Sequence, residues 1–345
     1  MIRIALLGYG RIARIHHLPG LTVQREVRVA ALAEPDEALR REAEKAVPSA
    51  RTFADWRRVL DDATIDAVVV CLPSDLHAEA ARTAFGAGKH VYLEKPIAIG
   101  PEDAAAVLEA WRGSGRIGMT GFNHRYHPAI AGARDAVRGG AIGPVVGARM
   151  ASGSPPRELP AWKRSRATGG GALLDALSHH ADLARFLFDD EVRDVSASVR
   201  SVRSEDDNAW STLTMAGGIR VESRVSFTSR QENRLEVTGE EGTLMVDRIE
   251  GRLSFEVGVR WTRSERIAGA VARLRDLPAG LRAALAPPRD PSYRLALSAF
   301  VRAIGEGSHP EPDIEDGERS LAVVLAAEAA ARDGRRIAVA PAPAS

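Results

Sequence analysis

Residues that could bind a ligand and move a proton lie in two parts of the sequence. Lys95 lies in a Glu-Lys-Pro run, and Asp175, His179 and Asp182 follow three glycines further along the chain. On a helix the three later residues occupy positions i, i+4 and i+7 and project from one face. His179 can then take a proton from a hydroxyl, and Asp175 can hold its imidazolium or a substrate hydroxyl. The spacing alone also fits a structural hydrogen-bond network or the ligands of a divalent metal.

Lysine is rare in this chain, which makes Lys95 informative. The chain has 47 basic residues, and its lysines are Lys45, Lys89, Lys95 and Lys163. A lysine shielded from water can change protonation near neutral pH, whereas an arginine cannot. The run follows a predicted strand, at the carboxyl edge where doubly wound sheets bind ligands. By themselves these residues are equally compatible with a surface ion pair between Glu94 and Lys95.

A glycine turn follows the first predicted strand. Its residues Gly8-Tyr-Gly10-Arg-Ile-Ala13 fit the G-x-G-x-x-A pattern that opens a dinucleotide-binding helix. Gly8 permits the tight turn, and Gly10 lets the backbone approach a pyrophosphate. The N–H groups of Arg11 and Ile12 would point at the phosphates. Without its position between strand and helix, the pattern would equally describe a structural turn.

Glu34 ends the second predicted strand. Its distance from Gly10 is close to the ~20 residues expected of the acidic residue that hydrogen-bonds the adenosine ribose. A carboxylate there repels a 2′-phosphate, and no basic residue lies between Glu34 and Ala38. The sequence therefore favours NAD as cofactor without excluding NADP. The alternative interpretation is a solvated acid at the start of a loop.

The first third of the chain alternates short apolar segments with longer amphipathic ones. This alternation predicts a doubly wound parallel sheet, the Rossmann arrangement, over residues 1–121. Strands are predicted at residues 2–7, 27–33, 66–72, 90–93 and 117–122. Helices are predicted at 12–23, with an interruption at Pro19 and Gly20, and at 37–46, 56–61, 76–87 and 101–112.

Residues 122–345 are predicted to form a second domain of the α+β type. Several strand-like segments follow one another there with glycine-containing turns, which indicates a large, mostly antiparallel open sheet. The clearest of them are residues 192–202, 209–216, 219–228, 234–239 and 243–246. Helices predicted at 172–188, 268–285, 293–304 and 314–332 would cover this sheet, and the last six residues would be a frayed tail.

Composition limits the classes of partner. The 345-residue chain carries a net charge of +1, which gives no electrostatic reason to expect nucleic acid or an anionic membrane. No stretch reaches transmembrane length, and Gly8 and Gly10 cut the first apolar run short of a signal peptide. The single cysteine, Cys71, cannot form an internal disulfide, which fits a reducing compartment. We expect a cytoplasmic protein that binds small molecules or copies of itself.

Five motifs in order resemble those of the Gfo/Idh/MocA family of oxidoreductases. They are Gly8 to Ala13, Pro73 to His77, Gly88 to Pro96, Gly121 to Pro128 and Gly169 to Asp182, and Gly317 to Gly334 is similar to the family's closing helix. The resemblance implies a Rossmann domain and an α/β domain whose open sheet joins a homodimer or homotetramer. It also implies hydride transfer between a nicotinamide and a secondary hydroxyl of a sugar, polyol or nucleotide sugar, a reaction of carbohydrate metabolism. No metal is expected.

The resemblance also implies residue roles, because the family places the lysine, the aspartate and the histidine around the reacting carbinol. His179 would be the general base in oxidation, Lys95 a hydrogen-bond donor and proton-relay partner, and Asp175 the residue that orients the substrate. Together with the glycine turn and Glu34, the expected cofactor contacts are Gly8, Gly10, Arg11, Ile12, Glu34, Leu72, Pro73, His77, Glu94, Lys95 and Asn123. The expected substrate contacts are Lys95, Arg125, Trp162, Lys163, Asp175 and His179.

The sequence departs from the family pattern at Leu177, where the family usually has glycine. The larger side chain would narrow or reshape the substrate pocket. His180 is an additional titratable group, expected to face away. Some relatives hydrolyse glycosides by transient oxidation with tightly held NAD, and others only bind nucleotide as regulators, so both are alternatives. The joint presence of Lys95, Asp175 and His179 argues against a regulator.

Overall fold

The computed structural model describes residues 1–257 and 290–340 of the chain. These residues form one sheet of six strands and one of eight, with helices packed against both. The predicted combination of a doubly wound parallel sheet with a second, mostly antiparallel sheet is confirmed. The helix predicted at 268–285 and most of the predicted tail lie outside the described residues.

The first sheet contains six parallel strands in the order β3-β2-β1-β4-β5-β6. They are β1 (Ile2–Leu7), β2 (Val27–Ala33), β3 (Arg51–Phe53), β4 (Ala67–Val70), β5 (His90–Leu93) and β6 (Gly118–Thr120). Strand order reverses between β1 and β4, and in such sheets ligands bind beyond the carboxyl ends of the strands at this point. β4 is apolar and buried throughout, as expected of a central parallel strand. The edge strand β3 was not predicted, because three residues are too few to show a period.

Five helices connect these strands and cover both faces of the sheet. They are α1 (Leu18–Thr22), α2 (Glu37–Ala46), α3 (Arg57–Leu60), α4 (His77–Gly86) and α5 (Pro101–Ser114). The carboxylate of Asp36 accepts a hydrogen bond from the Leu39 amide and caps α2, whereas α5 ends at Gly115 in the left-handed conformation. Asp36 thus marks the junction between β2 and α2, and Gly115 marks the junction between α5 and β6.

The helix after the glycine turn is not interrupted at Pro19 and Gly20, contrary to the prediction. A π-helical turn over Ala13–His17 leads directly into α1, and Pro19 lies in the first turn of α1. In a regular α-helix the proline ring would clash with the carbonyl four residues earlier. A wider turn immediately before the proline relieves that clash, so the helix continues.

The second sheet contains eight strands in the order β13-β12-β11-β7-β10-β9-β8-β14. They are β7 (Val145–Gly153), β8 (Val192–Arg200), β9 (Asn208–Met215), β10 (Arg220–Ser226), β11 (Glu232–Gly239), β12 (Gly242–Asp247), β13 (Arg252–Val257) and β14 (Ile337–Ala338). Among these strands only β7 and β10 pair in parallel. Buried and more exposed residues alternate along β12, so one face of the sheet packs on the core.

Four further helices complete the described part of the chain. They are α6 (Pro128–Arg138), α7 (Ser178–Phe188), α8 (Ser292–Glu306) and α9 (Ile314–Asp333), and a π-helical turn over Leu173–Leu177 precedes α7. Helices α7 and α9 pack against each other and the second sheet, as predicted. Helix α8 does not: its Leu297 and Phe300 are buried with Leu18 and Tyr92 in the core of the first sheet. The predicted domain boundary at residue 121 stays a prediction. Helix α8 comes after this boundary in the chain but packs against the first sheet.

Candidate active site

Lys95, Asp175 and Lys163 form a hydrogen-bonded cluster that joins the loop after β5 to the π turn before α7. Nζ of Lys95 donates to Oδ1 of Asp175 at 2.7 Å and to the Asp175 carbonyl at 2.5 Å. Nζ of Lys163 donates to Oδ2 at 2.8 Å. Burial raises the pKa of Asp175, but the ammonium groups of Lys163 and Lys95 outweigh it and hold that pKa well below its usual range. Asp175 is therefore ionised, with each oxygen bound by one lysine.

His179 lies one helical turn beyond Asp175, at the start of α7. Burial, followed by the charges of Lys95 and Arg248, lowers the pKa of His179 well below its usual range, although Asp175 opposes the shift. The imidazole is therefore neutral at neutral pH and can accept a proton. Its Nδ1 is buried and has no hydrogen-bond partner among the described residues. Because buried polar atoms are normally hydrogen-bonded, this nitrogen fits a site that a ligand completes.

A second histidine fixes the plane of the His179 ring. The imidazoles of His124 and His179 stack with centroids 4.0 Å apart and planes 11° apart, and Phe122 contacts His179 edge-on at 5.8 Å. Burial, with the charge of Arg248, lowers the pKa of His124 well below its usual range. Two neutral rings stack without charge repulsion. No role was predicted for His124, because no local pattern in the sequence indicates its contact with His179, which lies far along the chain.

The three glycines before α7 let protein segments approach one another closely. A Cβ on Gly169 would lie 2.5 Å from Cβ of Ser74, and one on Gly170 would lie 2.5 Å from the carbonyl oxygen of Lys163. Gly169 and Gly171 also have φ values of +99° and +93°, which favour glycine. The close approaches at Gly169 and Gly170 are therefore between segments of the protein itself. Gly170 is what allows Lys163 to lie beside Asp175.

Asp182 and Arg125 do not belong to this cluster. The wider turn over Leu173–Leu177 rotates Asp182 away from the face that carries Asp175. Nε of Arg125 donates to Oδ2 of Asp182 at 3.0 Å, and its Nη2 lies 2.6 Å from Oδ1 of Asp182 and 3.0 Å from Oδ1 of Asp316. Arg125 was expected to bind substrate. That expectation is corrected, because its buried guanidinium is committed to two carboxylates.

His180 faces away from the cluster, as expected. Its Nε2 lies 2.9 Å from Oγ of Ser152 and its Nδ1 lies 2.6 Å from Oγ of Ser223, both on the second sheet. Leu177 is fully buried in the core between the sheet and α9. Its effect on the substrate pocket stays a prediction.

The glycine turn fits a dinucleotide. Gly8 has a φ of +95°, and a Cβ there would lie 2.7 Å from the carbonyl oxygen of Cys71, so only glycine is accommodated. A Cβ on Gly10 would meet no atom of residues 1–257 or 290–340 within 4 Å. The helix begins at Arg11, and the amides of Arg11 and Ile12 have no helical carbonyl before them to bind. Open space beside such amides is a suitable site for a pyrophosphate.

Glu34 lies beside this turn, at the end of β2. Its Oε2 accepts from the Tyr9 amide at 2.8 Å and its Oε1 from the Asp36 amide at 3.0 Å. Arg40, for which no role was predicted, also lies here, and its Nη1 donates to the backbone carbonyl of Glu34 at 2.7 Å. The carboxylate is thus fixed by two amides where an adenosine ribose would lie.

The His77 ring connects two loops at the carboxyl edge of the first sheet. Its ring nitrogens lie 2.9 Å from the carbonyl oxygen of Leu72 and 2.7 Å from that of Pro96. The contacts tie the Leu72-Pro73 segment after β4 to the Glu-Lys-Pro run after β5. His77 therefore positions the segment that carries Lys95, and direct contact of these residues with the nicotinamide stays a prediction.

Glu94 and Asn123 are also held by protein groups at this edge. Oε1 of Glu94 lies 2.7 Å from Nε2 of His17, which is fully buried. Nδ2 of Asn123 donates to Oγ of Ser292 at 2.7 Å and links the edge to α8. His17 was missed by the sequence analysis, because regular helical spacing does not show that a π turn directs this side chain at Glu94. The cofactor contacts of Glu94 and Asn123 stay predictions.

Trp162 and Lys163 lie together in a short 3₁₀ turn, Ala161–Arg164, before the glycines. Nζ of Lys163 lies 5.2 Å from the centroid of the Trp162 ring. A small pocket opens beside this turn and reaches Asp175 and the glycines. The turn therefore lines the side of Asp175 on which a substrate could extend.

Within residues 1–257 and 290–340, no group of three or more His, Cys, Asp or Glu side chains is arranged to hold a metal ion. The helices of this part of the chain include none that is both long and apolar enough to span a bilayer.

Comparison with known proteins identifies relatives of both halves of the chain. Residues 2–122 match a family model described as an oxidoreductase family with an NAD-binding Rossmann fold, and residues 130–245 match the GFO/IDH/MocA C-terminal domain. A 1,5-anhydro-D-fructose reductase of Ensifer adhaerens is 33% identical over 295 residues, with 83% of each chain covered. A myo-inositol 2-dehydrogenase of Thermotoga maritima is 26% identical over 349 residues, covering 97% of this chain and 98% of the relative.

A solved structure agrees with this assignment along the whole chain. The crystal structure of an oxidoreductase domain protein from Kribbella flavida superposes with a TM-score of 0.83 at 26% identity and covers 99% of both chains. The arrangement of the glycine turn and of Lys95, Asp175 and His179 lies within the matched regions. The chain belongs to the GFO/IDH/MocA family of oxidoreductases, with an NAD-binding Rossmann domain.

Proposed function

We propose that the protein is an NAD-dependent dehydrogenase or reductase that interconverts a secondary hydroxyl of a sugar or polyol and the corresponding ketone. The observation that carries the proposal is the convergence of Lys95 and Asp175 with a neutral His179 at the carboxyl edge of the Rossmann sheet. Relatives named as an inositol dehydrogenase and an anhydrofructose reductase support this substrate class.

His179 is the general base in the oxidation. Its lowered pKa keeps the imidazole neutral, so it can take the hydroxyl proton as the carbinol hydrogen leaves. When bound, the nicotinamide of NAD supplies the acceptor for that hydride. In the reverse direction the imidazolium returns the proton to the carbonyl oxygen.

Lys95 stabilises the negative charge that develops on the substrate oxygen. Its ammonium is held by Oδ1 and the carbonyl oxygen of Asp175, which leaves its third hydrogen available for a substrate. Asp175 therefore orients the substrate through the two lysines that it binds. The glycine turn, from Gly8 to Ala13, and Glu34 would hold the pyrophosphate and the adenosine ribose.

We also propose that copies of the chain associate through the second sheet. Among residues 1–257 and 290–340 no helix covers one of its faces, and Trp210 on that face is 44% exposed. A large exposed aromatic side chain on an open sheet is typical of an interface. Light scattering should then give a dimer or tetramer mass, and Trp210→Glu should lower it, whereas a monomeric wild-type protein would contradict the proposal.

A cytoplasmic location is proposed from the single buried cysteine.

A substrate screen tests the proposed reaction. Purified protein is incubated with inositols, aldoses, anhydrosugars and nucleotide sugars, with NAD and NADP in parallel, and nicotinamide reduction is followed at its absorbance band. We expect reduction with at least one polyol or sugar, a ketone product by mass spectrometry, and a preference for NAD. Release of a free sugar from a glycoside without net reduction would contradict the proposal.

A further inference from the structure

A small pocket opens on the Lys163 side of Asp175. Lys163 and Asp175 lie at its inner end, and Arg157 and Arg203 line its outer part. Since Asp175 also binds Lys95 through its other oxygen, the pocket begins where the proposed reaction centre ends. A substrate whose hydroxyl reacts beside Lys95 would extend into it.

The acidic side chains of the pocket are already hydrogen-bonded. Each oxygen of Asp175 binds a lysine. Oδ2 of Asp207 accepts from the amides of Arg203 and Ser204 at 2.8 and 3.0 Å, and its Oδ1 accepts from the Val202 amide at 2.9 Å. Asp207 is also 1% exposed. The pocket therefore has few acceptor groups for the hydroxyls of a neutral sugar.

The arginine side chains of the pocket, in contrast, have N–H groups available to a ligand. Within residues 1–257 and 290–340, neither the guanidinium of Arg157 nor that of Arg203 has a carboxylate partner, and both residues are exposed at the pocket. The neighbouring Arg166 differs, because it is paired with Glu328. Two arginines that line one pocket and have no carboxylate partner in this part of the chain favour an anion that can accept several hydrogen bonds.

The loop that carries Arg203 is fixed against the active-site segment. The Ala172 amide, at the entry to the π turn, donates to the carbonyl of Asp206 at 2.7 Å. The carboxylate of Glu205 accepts from the Arg166 amide at 2.8 Å and from Oγ of Ser165 at 2.9 Å. Arg203 is thus held on the pocket wall by the same backbone that carries Asp175.

We propose that this pocket binds an anionic substituent of the substrate, a carboxylate or a phosphate, through Arg157 and Arg203. Lys163 lies between this substituent and the reacting carbon. The inference rests on the proposed function and narrows its substrates to acidic or phosphorylated sugars and polyols.

Equilibrium binding to the NAD-loaded protein tests the proposal without requiring turnover. The probes are two matched series measured by calorimetry: glucose, glucuronate and glucose 6-phosphate, and galactose, galacturonate and galactose 6-phosphate. We expect at least one anionic sugar to bind about 10- to 100-fold more tightly than its neutral parent, as charge-assisted hydrogen bonds provide. The uronate and phosphate members separate the two sources of charge.

Variants assign this preference to the two arginines. The double variant Arg157→Gln/Arg203→Gln should lose it, and added salt should weaken it in the wild type. Arg28→Gln, which removes an exposed arginine at the amino end of β2, is the matched control and should leave it unchanged. Equal affinity for neutral and anionic sugars, no binding by any anionic sugar, or a double variant that keeps the preference would overturn the proposal.

Turnover measured on the same samples keeps this proposal separate from the proposed function. Anionic sugars that bind through Arg157 and Arg203 but never reduce NAD would contradict the dehydrogenase and leave the anion pocket standing. Oxidation of neutral polyols, with anionic sugars neither bound nor oxidised in preference to their neutral parents, would do the reverse.

Discussion

In the cluster around Asp175, one carboxylate forms ion pairs with two ammonium groups. Lys95 and Lys163 would repel each other if Asp175 were protonated, and their charges are what keep its pKa low. The same positive charge of Lys95 helps to keep His179 neutral. The side chain that is to stabilise negative charge therefore also helps to keep the proton acceptor neutral.

Glu34 is the residue that should select the nucleotide. Removing its charge in Glu34→Gln keeps an acceptor for the Tyr9 amide but ends the repulsion of a 2′-phosphate. We expect the ratio of kcat/KM for NAD over NADP to fall about tenfold or more, since a single charge–charge contact at the protein surface is worth more than 1 kcal/mol. Steady-state kinetics with both nucleotides measure the ratio.

The matched control for this change lies at the other end of β2. Glu26→Gln removes an exposed carboxylate there and should leave the ratio unchanged. An unaltered ratio in Glu34→Gln would mean that Glu34 only caps the glycine turn.

For single residues, the sequence could indicate what chemistry a side chain can perform, but not always where the fold places that side chain. The family resemblance led us to expect Lys95 beside Asp175, and a hydrogen bond joins the two side chains. Arg125 was misassigned because a motif shows that an arginine is present, not that Asp182 and Asp316 surround it. The carboxylate of Asp316 lies on a helix near the end of the chain, so only the fold reveals this contact.

Two π turns aim side chains at the edge of the first sheet. The turn over Ala13–His17 directs His17 at Glu94, and the turn over Leu173–Leu177 places Asp175 against Lys95. A π turn holds more residues than an α turn, and such turns are frequent at functional sites. Regular helical spacing does not predict them, which is why the sequence showed neither His17 nor the rotation of Asp182.

Gly170 tests whether the position of Lys163 matters for turnover. In Gly170→Ala the new Cβ would lie 2.5 Å from the Lys163 carbonyl oxygen, so the segment must move and draw Lys163 from Asp175. We expect kcat/KM for the sugar to fall about 10- to 100-fold, because small displacements at a reaction centre have effects of this size. The Kd for NAD, measured by calorimetry, should not change.

Gly113→Ala is the control for the glycine substitution. Gly113 lies in α5, and a Cβ there would meet no atom within 4 Å. Its activity should equal that of the wild type. Full activity in Gly170→Ala would show that the Lys163–Asp175 contact is dispensable.

The contact between α7 and the second sheet should make stability depend on pH. Burial lowers the pKa of His180 to about 4, whereas an unfolded histidine titrates near its ordinary ~6.5. Below pH ~6.5 the unfolded chain binds a proton that the folded chain excludes, so the free energy of unfolding falls as pH falls towards about 4. Between pH 7 and 5 this residue should account for a loss of about 2 kcal/mol.

Urea unfolding of His180→Gln at several pH values isolates that contribution. Glutamine can still hydrogen-bond to Ser152 or Ser223 but does not titrate. The variant should therefore lose less stability than the wild type between pH 7 and 5. Parallel stability curves for the two proteins would rule out His180 as the cause.

At the scale of the whole molecule, a buried ion-pair cluster joins parts that are far apart in the chain. Arg125 follows β6, Asp182 and Arg185 lie on α7, and Asp316 lies on α9. Oδ1 of Asp316 lies 3.0 Å from both guanidinium groups. The cluster fixes the helix that carries His179 relative to the sheet that carries Lys95.

Arg125→Ala should therefore reduce stability rather than substrate affinity. Removing one partner of a buried ion pair leaves uncompensated charge and typically costs about 3–5 kcal/mol. We expect a lowered midpoint of urea unfolding, while folded protein at low temperature keeps the wild-type KM. The double variant Arg125→Ala/Asp182→Ala should recover part of the loss. A raised KM with unchanged stability would restore Arg125 as a substrate ligand.

The sequence predicted the architecture better than the packing of helices. Alternating strands and helices in the first third, and consecutive strands with glycine turns in the second part, were sufficient to predict both sheets. Helix α8 was assigned to the wrong sheet, because its amphipathic pattern shows that one face is buried but not against what. Its Leu297 and Phe300 lie beside β5, a long way back in the sequence.

In the proposed mechanism His179 moves the proton in a hydride transfer beside bound NAD. The most direct test compares His179→Asn with the wild type for two quantities, kcat on the best sugar substrate and the Kd for NAD. His309→Asn, an exposed histidine far along the chain, is the control. We expect kcat to fall about 10²- to 10⁴-fold in His179→Asn with an unchanged Kd for NAD. A kcat equal to that of the wild type would contradict it.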